Sequence, residues 1–348
     1  MTVPTTTQAA VLVETGKPLV IMDLGLPALA PGQVLVEIAF SGICHSQLNE
    51  VSGRKGPDRF LPHVLGHEGS GRVLATGDGV RKVSPGDEVV LTWLKGEGAD
   101  VPSTRYVSAG GPVNSGAIAT FMRHTVTCES RVVRKPASLT MREAALFGCA
   151  VPTGGGVAAK SGFDLRGKSV AVFGAGGVGS AAVAMAAALG ANPLIAIDVV
   201  PSKLDVARRL GATHCFDGRS ENVLQQVREM TGGAGVDLAI EAAGLSSVME
   251  MAFAATKFGG GLCILAGNVG LGEKISIDPY DLIRGRHIRG TWGGESNPDV
   301  DIPAFARIAQ TEKIDLGAMI SQEYPLAAVN DALEDLRAGK VMRAFLSL

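Results

Sequence analysis

Two groups of residues in this chain of 348 have the types and spacing to do chemistry. The first is Cys44, His67 and Cys149, in Gly42-Ile-Cys-His-Ser46, Gly66-His-Glu-Gly69 and Gly148-Cys-Ala-Val-Pro-Thr153. Two thiolates and one imidazole make a three-ligand zinc site whose fourth position is left for water or substrate, the arrangement of a catalytic ion. Separation along the chain leaves their convergence open, and each residue taken singly is more commonly a buried thiol or a satisfied core histidine. Cys128, Cys215 and Cys263 lie in ordinary apolar or strand-like settings and read as structural.

The second group is the run Gly174-Ala-Gly-Gly-Val-Gly179. A chain with 46 glycines produces such a spacing by chance, so the context carries the reading. The run follows a short apolar strand, Ser169 to Phe173, and opens an Ala-rich helix. Gly174 then permits the tight turn, Gly176 lets backbone amides approach a pyrophosphate, and Gly179 lets helix and strand pack closely. The helix N-terminus faces the phosphates with its partial positive charge. Asp198 ends the next strand, where a carboxylate accepts hydrogen bonds from the adenosine ribose and repels a 2′-phosphate. That favours NAD over NADP, with Lys203, Arg208 and Arg209 close enough to leave the choice open.

The elements that must hold these residues fall into three stretches. Residues 1 to about 150 alternate short apolar runs with Gly and Pro turns, as in Gln33 to Ala39, Gly71 to Ala75 and Asp87 to Thr92, and read as mainly β. From about 151 to 290, apolar runs at Leu238 to Ile240 and Leu262 to Ala266 alternate with helical stretches at Lys203 to Leu210, Glu221 to Met230 and Ser246 to Ala255. That alternation implies parallel βαβ units. After Trp292 come helical stretches near Ile302 to Thr311 and Leu326 to Ala338, then a last apolar run, Arg343 to Leu348, that suits either part. Ser169 to Ile197 carries no charge and is long enough to imitate a membrane span. Its glycine run and the Gly190-Ala-Asn-Pro193 break make it strand, turn, helix, turn and strand instead.

Composition sets the outer limits. With 46% hydrophobic and 19% charged residues the chain is globular, and its length suggests two domains. A net charge of −2, spread evenly, offers no basic field for nucleic acid or anionic lipid. Five cysteines are too few for a disulfide scaffold and point to a reducing, cytoplasmic setting. Met1 to Ala10 shows no cationic region followed by an apolar run, so no secretory signal is expected there.

Taken with Leu65-Gly-His-Glu-Gly-Ser-Gly71 and Pro85-Gly-Asp-Glu-Val89, these motifs resemble the zinc-dependent alcohol dehydrogenases of the medium-chain dehydrogenase/reductase family, in order and spacing over nearly the whole chain. The resemblance implies an α/β protein. It has a GroES-like, β-rich catalytic domain (1–150 and 293–348) and a Rossmann NAD-binding domain with a doubly wound parallel sheet (151–292), with the active site in the cleft between them. It implies a zinc on Cys44, His67 and Cys149, with Glu68 as an intermittent fourth ligand, and Ser46 as the hydroxyl that receives the substrate proton. It assigns His45 to a cofactor phosphate, and Thr153, Gly177 and Val178 to the nicotinamide end and the glycine turn. Asp198 and Lys203 fall at the adenosine ribose, Arg343 at the pyrophosphate, and Trp93 and Phe121 at the walls of the alcohol pocket. Core packing explains the two aromatics equally well.

Three departures matter. Family members commonly carry four closely spaced cysteines for a structural zinc, but Lys95 to Ala117 contains none, so one zinc is expected. Asn49 stands where the last histidine of the proton relay often sits, and an amide cannot act as a base near neutral pH. Gln47 replaces a common acid behind His67. The expected reaction is hydride transfer between a small alcohol and NAD, giving an aldehyde or ketone. A zinc-independent NAD(P)H quinone or enone reductase on the same scaffold is the nearest rival, opposed by the three ligand types. A regulatory NADH-binding protein and a zinc hydrolase are more remote, the latter lacking H-E-x-x-H. His287 to Trp292 reads as an edge strand on which relatives often pair, so a homodimer or homotetramer is expected.

Overall fold

A computed structural model describes residues 3–348. The chain divides into two compact units. The first holds residues up to Cys149 together with Asn297–Ala306 and Ile320–Leu348, and the second holds Ala150–Ser296 and Arg307–Met319. Ala150 and residues 293–296 and 307–319, expected with the catalytic part, therefore group with the second unit.

In the first unit, Thr6–Leu12, Val20–Gly25, Arg105–Ser108, Gly111–Asn114 and His63–Val64 close a barrel. A seven-stranded sheet has the long strands Gln33–Gly42 and Glu68–Thr76 at its heart, paired antiparallel with register shifts between Leu35 and Val36 and between Ile38 and Phe40. Such bulges bend a strand and re-aim the side chains beyond them, here just ahead of Cys44. The last strand, Ala344–Ser347, returns to this sheet, with Phe345 opposite Gly42. Val34, Val36, Ile38, Tyr106, Phe121 and Leu346 belong to the apolar core.

The second unit is a six-stranded parallel sheet in the order His214–Asp217, Leu194–Asp198, Val170–Phe173, Leu238–Glu241, Leu262–Leu265 and His287–Gly290. Counted along the chain this is 3-2-1-4-5-6, the order of dinucleotide-binding sheets, with its switch point beside Val170–Phe173. Every residue of the three central strands is buried, as strands covered on both faces must be, whereas the edge strand His287–Gly290 is largely open. Among the described residues no helix is long and apolar enough to cross a membrane.

Candidate active site

The three candidate metal ligands are delivered by three chain reversals of the first unit. Cys44 is the N-cap of the helix His45–Val51, directly after the bulged strand. His67 precedes the strand Glu68–Thr76, and Cys149 precedes the helix Ala150–Ala159. Two glycines make the approach possible. Gly66 has φ +91°, and a Cβ there would stand 2.6 Å from Phe121 Cδ1 and 2.8 Å from the Phe121 nitrogen. At Gly148 a Cβ would press on the Leu91 carbonyl and lie 2.7 Å from Glu68 Cα, so only glycine lets Cys149 come down onto the sheet.

The ligand atoms of Cys44, His67 and Cys149 all lie within 4.8 Å of one another. Tetrahedral zinc with Zn–S near 2.3 Å and Zn–N near 2.0 Å places its ligands roughly 3.5 Å apart, so one ion fits with small adjustments. A hydrogen bond from Cys149 holds the Cys44 thiol well below its usual range; burial opposes this, and His67 and the Arg343 charge assist it. A thiolate between a second thiol and an imidazole is the donor set that a borderline-soft divalent ion requires, so these residues fit zinc.

Around this trio the expected residues are placed unevenly. Ser46 is buried, with Oγ 3.5 Å from His67 Nδ1. Glu68 is fully buried in an ion pair with Arg343, which is itself 3% exposed. Arg343, expected at the pyrophosphate, pairs through Nη2 with this carboxylate while its buried Nε has no hydrogen-bond partner among the described residues, and Glu68 stands outside the trio. His45 is exposed and Trp93 half-buried. Phe121 is 0% exposed and packs in the barrel core against Gly66, so it walls no opening. A cavity of about 410 Å³ lies beside His67 within this unit, lined by Gln47, Phe60, His63, Leu65 and Ile118 and by neither Trp93 nor Phe121. Phe60, 68% exposed, was missed in the sequence; its only signal was an aromatic within a Gly- and Pro-punctuated loop.

In the second unit the glycine run behaves as its spacing predicts. Gly174 has φ +94°, and a Cβ at Gly179 would collide with the Gly174 carbonyl, so strand end and helix start are in contact. A Cβ at Gly176 meets nothing within 4 Å. The helix Gly177–Ala188 therefore begins against open space, as a pyrophosphate site needs. Asp198 Oδ2 accepts the Ala175 N–H at 2.7 Å and Oδ1 the Val200 N–H at 2.9 Å, leaving each oxygen a lone pair for a ribose hydroxyl. Thr153 Oγ1 is buried with no hydrogen-bond partner among the described residues, Val178 is half-buried in the first turn of the glycine helix, and Lys203 is half-buried in the helix Pro201–Arg209. An open amide terminus, a strand-end carboxylate and an orphaned hydroxyl fit a dinucleotide. The sequence reading overlooked Glu241, fully buried at the end of its strand. Its Oε1 accepts the Ala243 and Gly244 N–H groups at 2.8 and 2.7 Å, beside the turn at Gly174. Burial pushes its carboxyl up against the pull of those N–H groups.

Comparison with known proteins agrees with both halves. Residues 30–137 match the family model of the alcohol dehydrogenase GroES-like domain, and residues 177–310 match that of the zinc-binding dehydrogenases. S-(hydroxymethyl)glutathione dehydrogenase of Photobacterium damsela subsp. piscicida is 31% identical, with 97% of this chain and 99% of that protein aligned. The crystal structure of an alcohol dehydrogenase zinc-binding domain protein from Burkholderia ambifaria superposes with a TM-score of 0.90 at 32% identity, covering 99% of each chain. Benzyl alcohol dehydrogenase from Acinetobacter calcoaceticus does so with a TM-score of 0.88 at 26% identity, again over 99% of each. Relationship along the full length, two matched domains and a convergent pair of thiols with an imidazole lead to one conclusion: the chain belongs to the zinc-dependent alcohol dehydrogenases of the medium-chain dehydrogenase/reductase family.

Proposed function

We propose that this oxidoreductase interconverts an alcohol and its aldehyde or ketone with NAD in preference to NADP, using one zinc held by Cys44, His67 and Cys149. The observation that carries the reading is the meeting of those three donor atoms within 4.8 Å. When bound, zinc supplies Lewis acidity toward the alcohol oxygen and the nicotinamide accepts the hydride. The chain's own groups do the rest. Ser46 Oγ, buried 3.5 Å from His67 Nδ1, takes up the alcohol proton. Asn49, an amide, cannot act as a base near neutral pH and so does not pass that proton on. Asp198 holds the adenosine ribose and repels a 2′-phosphate. Glu68, neutralised by Arg343, stays beside the ligands as an alternate oxygen donor.

The relatives act, by their names, on S-(hydroxymethyl)glutathione and benzyl alcohol. Phe60, Leu65 and Ile118 give the cavity beside His67 apolar surface for the body of an alcohol, and the charged Glu50, Lys55, Asp58 and Arg59 line it as well. Five free thiols support a cytoplasmic setting. The open edge strand His287–Gly290, with Trp292 77% and Ile283 77% exposed nearby, supports a homodimer or a homotetramer built from it. A spectrophotometric screen of benzylic, aliphatic, secondary and polyol alcohols with NAD⁺ and NADP⁺ tests the reading. NAD⁺-linked oxidation strongest for benzylic or aliphatic alcohols is expected; reduction of quinones or enones without metal, and no alcohol oxidation, would overturn it.

A further inference from the structure

Gln47, 1% exposed, touches two of the proposed metal ligands. Its Oε1 accepts the backbone N–H of Cys44 at 3.0 Å, and its Nε2 lies 2.5 Å from His67 Nδ1. One amide thus bridges the backbone of one ligand and the ring of another. With Nδ1 facing Gln47 and Ser46, Nε2 is the ring atom left to meet the two thiols. A neutral histidine that gives Nε2 to a metal carries its hydrogen on Nδ1, which then donates. Cys44 N–H is also a donor. An amide presents one acceptor and one donor end, so in either orientation its NH₂ faces a donor when the metal is bound. A carboxylate at the same place has two acceptor ends and satisfies both. The other acceptor within reach of Nδ1–H is Ser46 Oγ, at 3.5 Å the outer limit of a hydrogen bond, and a buried donor with no closer acceptor is costly.

We propose that Gln47 is a positioning residue that loosens the hold on zinc, because its single acceptor cannot serve the Cys44 N–H and the metal-directing Nδ1–H of His67 together. The inference rests on the metal site proposed above. In the metal-free chain the amide is content, with Oε1 on Cys44 N–H and NH₂ on the Nδ1 lone pair. Loading the site turns that second contact from complementary to opposed, and the imidazole gains no charge behind it. Zinc is then exchanged more readily than the sulfur and nitrogen ligands alone dictate.

The test uses the full-length, zinc-loaded chain and its Gln47→Glu, Gln47→Asp and Gln47→Met variants. Zinc content is measured by elemental analysis, and transfer of zinc to excess 4-(2-pyridylazo)resorcinol is followed by absorbance. Outer partners of metal-binding histidines typically change metal affinity by about 10- to 100-fold. We expect Gln47→Glu, or the shorter Gln47→Asp, to slow zinc transfer by about that factor, with a larger zinc-dependent rise in Tm than wild type. Gln47→Met should not slow it. A residue that merely fills space would make all three variants weaker. Zinc transfer as fast as wild type or faster from both acidic variants overturns the proposal, as does failure of both to stay folded when loaded. Wild type that binds no zinc, or a Cys149→Ala variant that keeps it, overturns the metal site itself, so the two failures are distinguishable.

Discussion

Glu129 holds together the cysteine-free loop around residues 95–102. It opens the 3₁₀ turn Glu129–Arg131 and is 3% exposed. Oε1 accepts the N–H groups of Arg81 and Lys82, both at 2.6 Å, and Oε2 accepts the Ala99 N–H at 2.9 Å. Asp299 helps from the other side, accepting the Glu97 N–H at 2.6 Å and pairing with Lys82 at 2.5 Å. Replacing Glu129 by Gln leaves one acceptor oxygen for three backbone donors. Hydrogen bonds to a charged acceptor contribute about 1.5–3 kcal/mol each. Losing one outright and the charge on the others makes local opening about 2–4 kcal/mol easier, a factor of roughly 30 to 700 in opening equilibrium at 1.4 kcal/mol per tenfold. Hydrogen exchange read by mass spectrometry on peptides covering 81–82 and 95–102 measures this directly. Burial alone would push the Glu129 carboxyl up, but the three N–H groups hold it below the usual range. Its contribution is therefore fully present above the unfolded carboxyl pKa of about 4.3 and is lost as pH falls through the lower folded value. The Glu129→Gln variant has no carboxyl to titrate there and should show none of that acid-side loss. Unchanged exchange in Glu129→Gln, or wild-type loop exchange that rises sharply when a chelator strips the protein, would refute the reasoning, the latter by showing that a metal holds the loop.

Two further substitutions probe the two sites separately. A Cβ at Gly42 would collide with the Glu68 carboxylate, with Cδ 2.7 Å away, while Arg343 prevents that side chain from yielding. Gly42→Ala should therefore cost about 1–3 kcal/mol from overpacking, and more if the buried pair breaks, read as a fall in Tm together with faster zinc loss; an unaltered Tm and zinc content would contradict the packing described. Asp198→Ala removes the charge proposed to face the ribose and frees the Ala175 and Val200 N–H groups. It should weaken NAD⁺ and raise relative use of NADP⁺ in steady-state kinetics, and an unchanged preference would reject the role.

The second unit was the more legible in sequence because its signals are local. Gly174, Gly176 and Gly179 act within one turn, and buried strands such as Leu194–Asp198 announce themselves as unbroken apolar runs ending in an acid. The helix Ser246–Ala255 likewise has the limits that its periodicity predicts. The metal site was legible in residue type but not in geometry, since Cys44 and Cys149 meet only through pairings as distant as Phe345 with Gly42 and through glycines whose purpose is a neighbour's backbone. Neither the Arg343 to Glu68 pair, joining residues 275 positions apart, nor the Glu129 cradle has any periodic signature. Phe121 illustrates the limit for aromatics: alternation places it in a strand-like run, but only tertiary packing decides whether it faces an opening or the core, and here it faces the core.

Elemental analysis of the purified full-length protein beside its Cys149→Ala variant, each also assayed for alcohol-dependent NAD⁺ reduction, puts the central claim to the most direct test. One zinc per chain and turnover in the wild type, with both largely lost in a variant that stays folded, is the predicted result. A variant that keeps its zinc and its turnover would contradict the claim that these three side chains bind the ion and form the reactive centre.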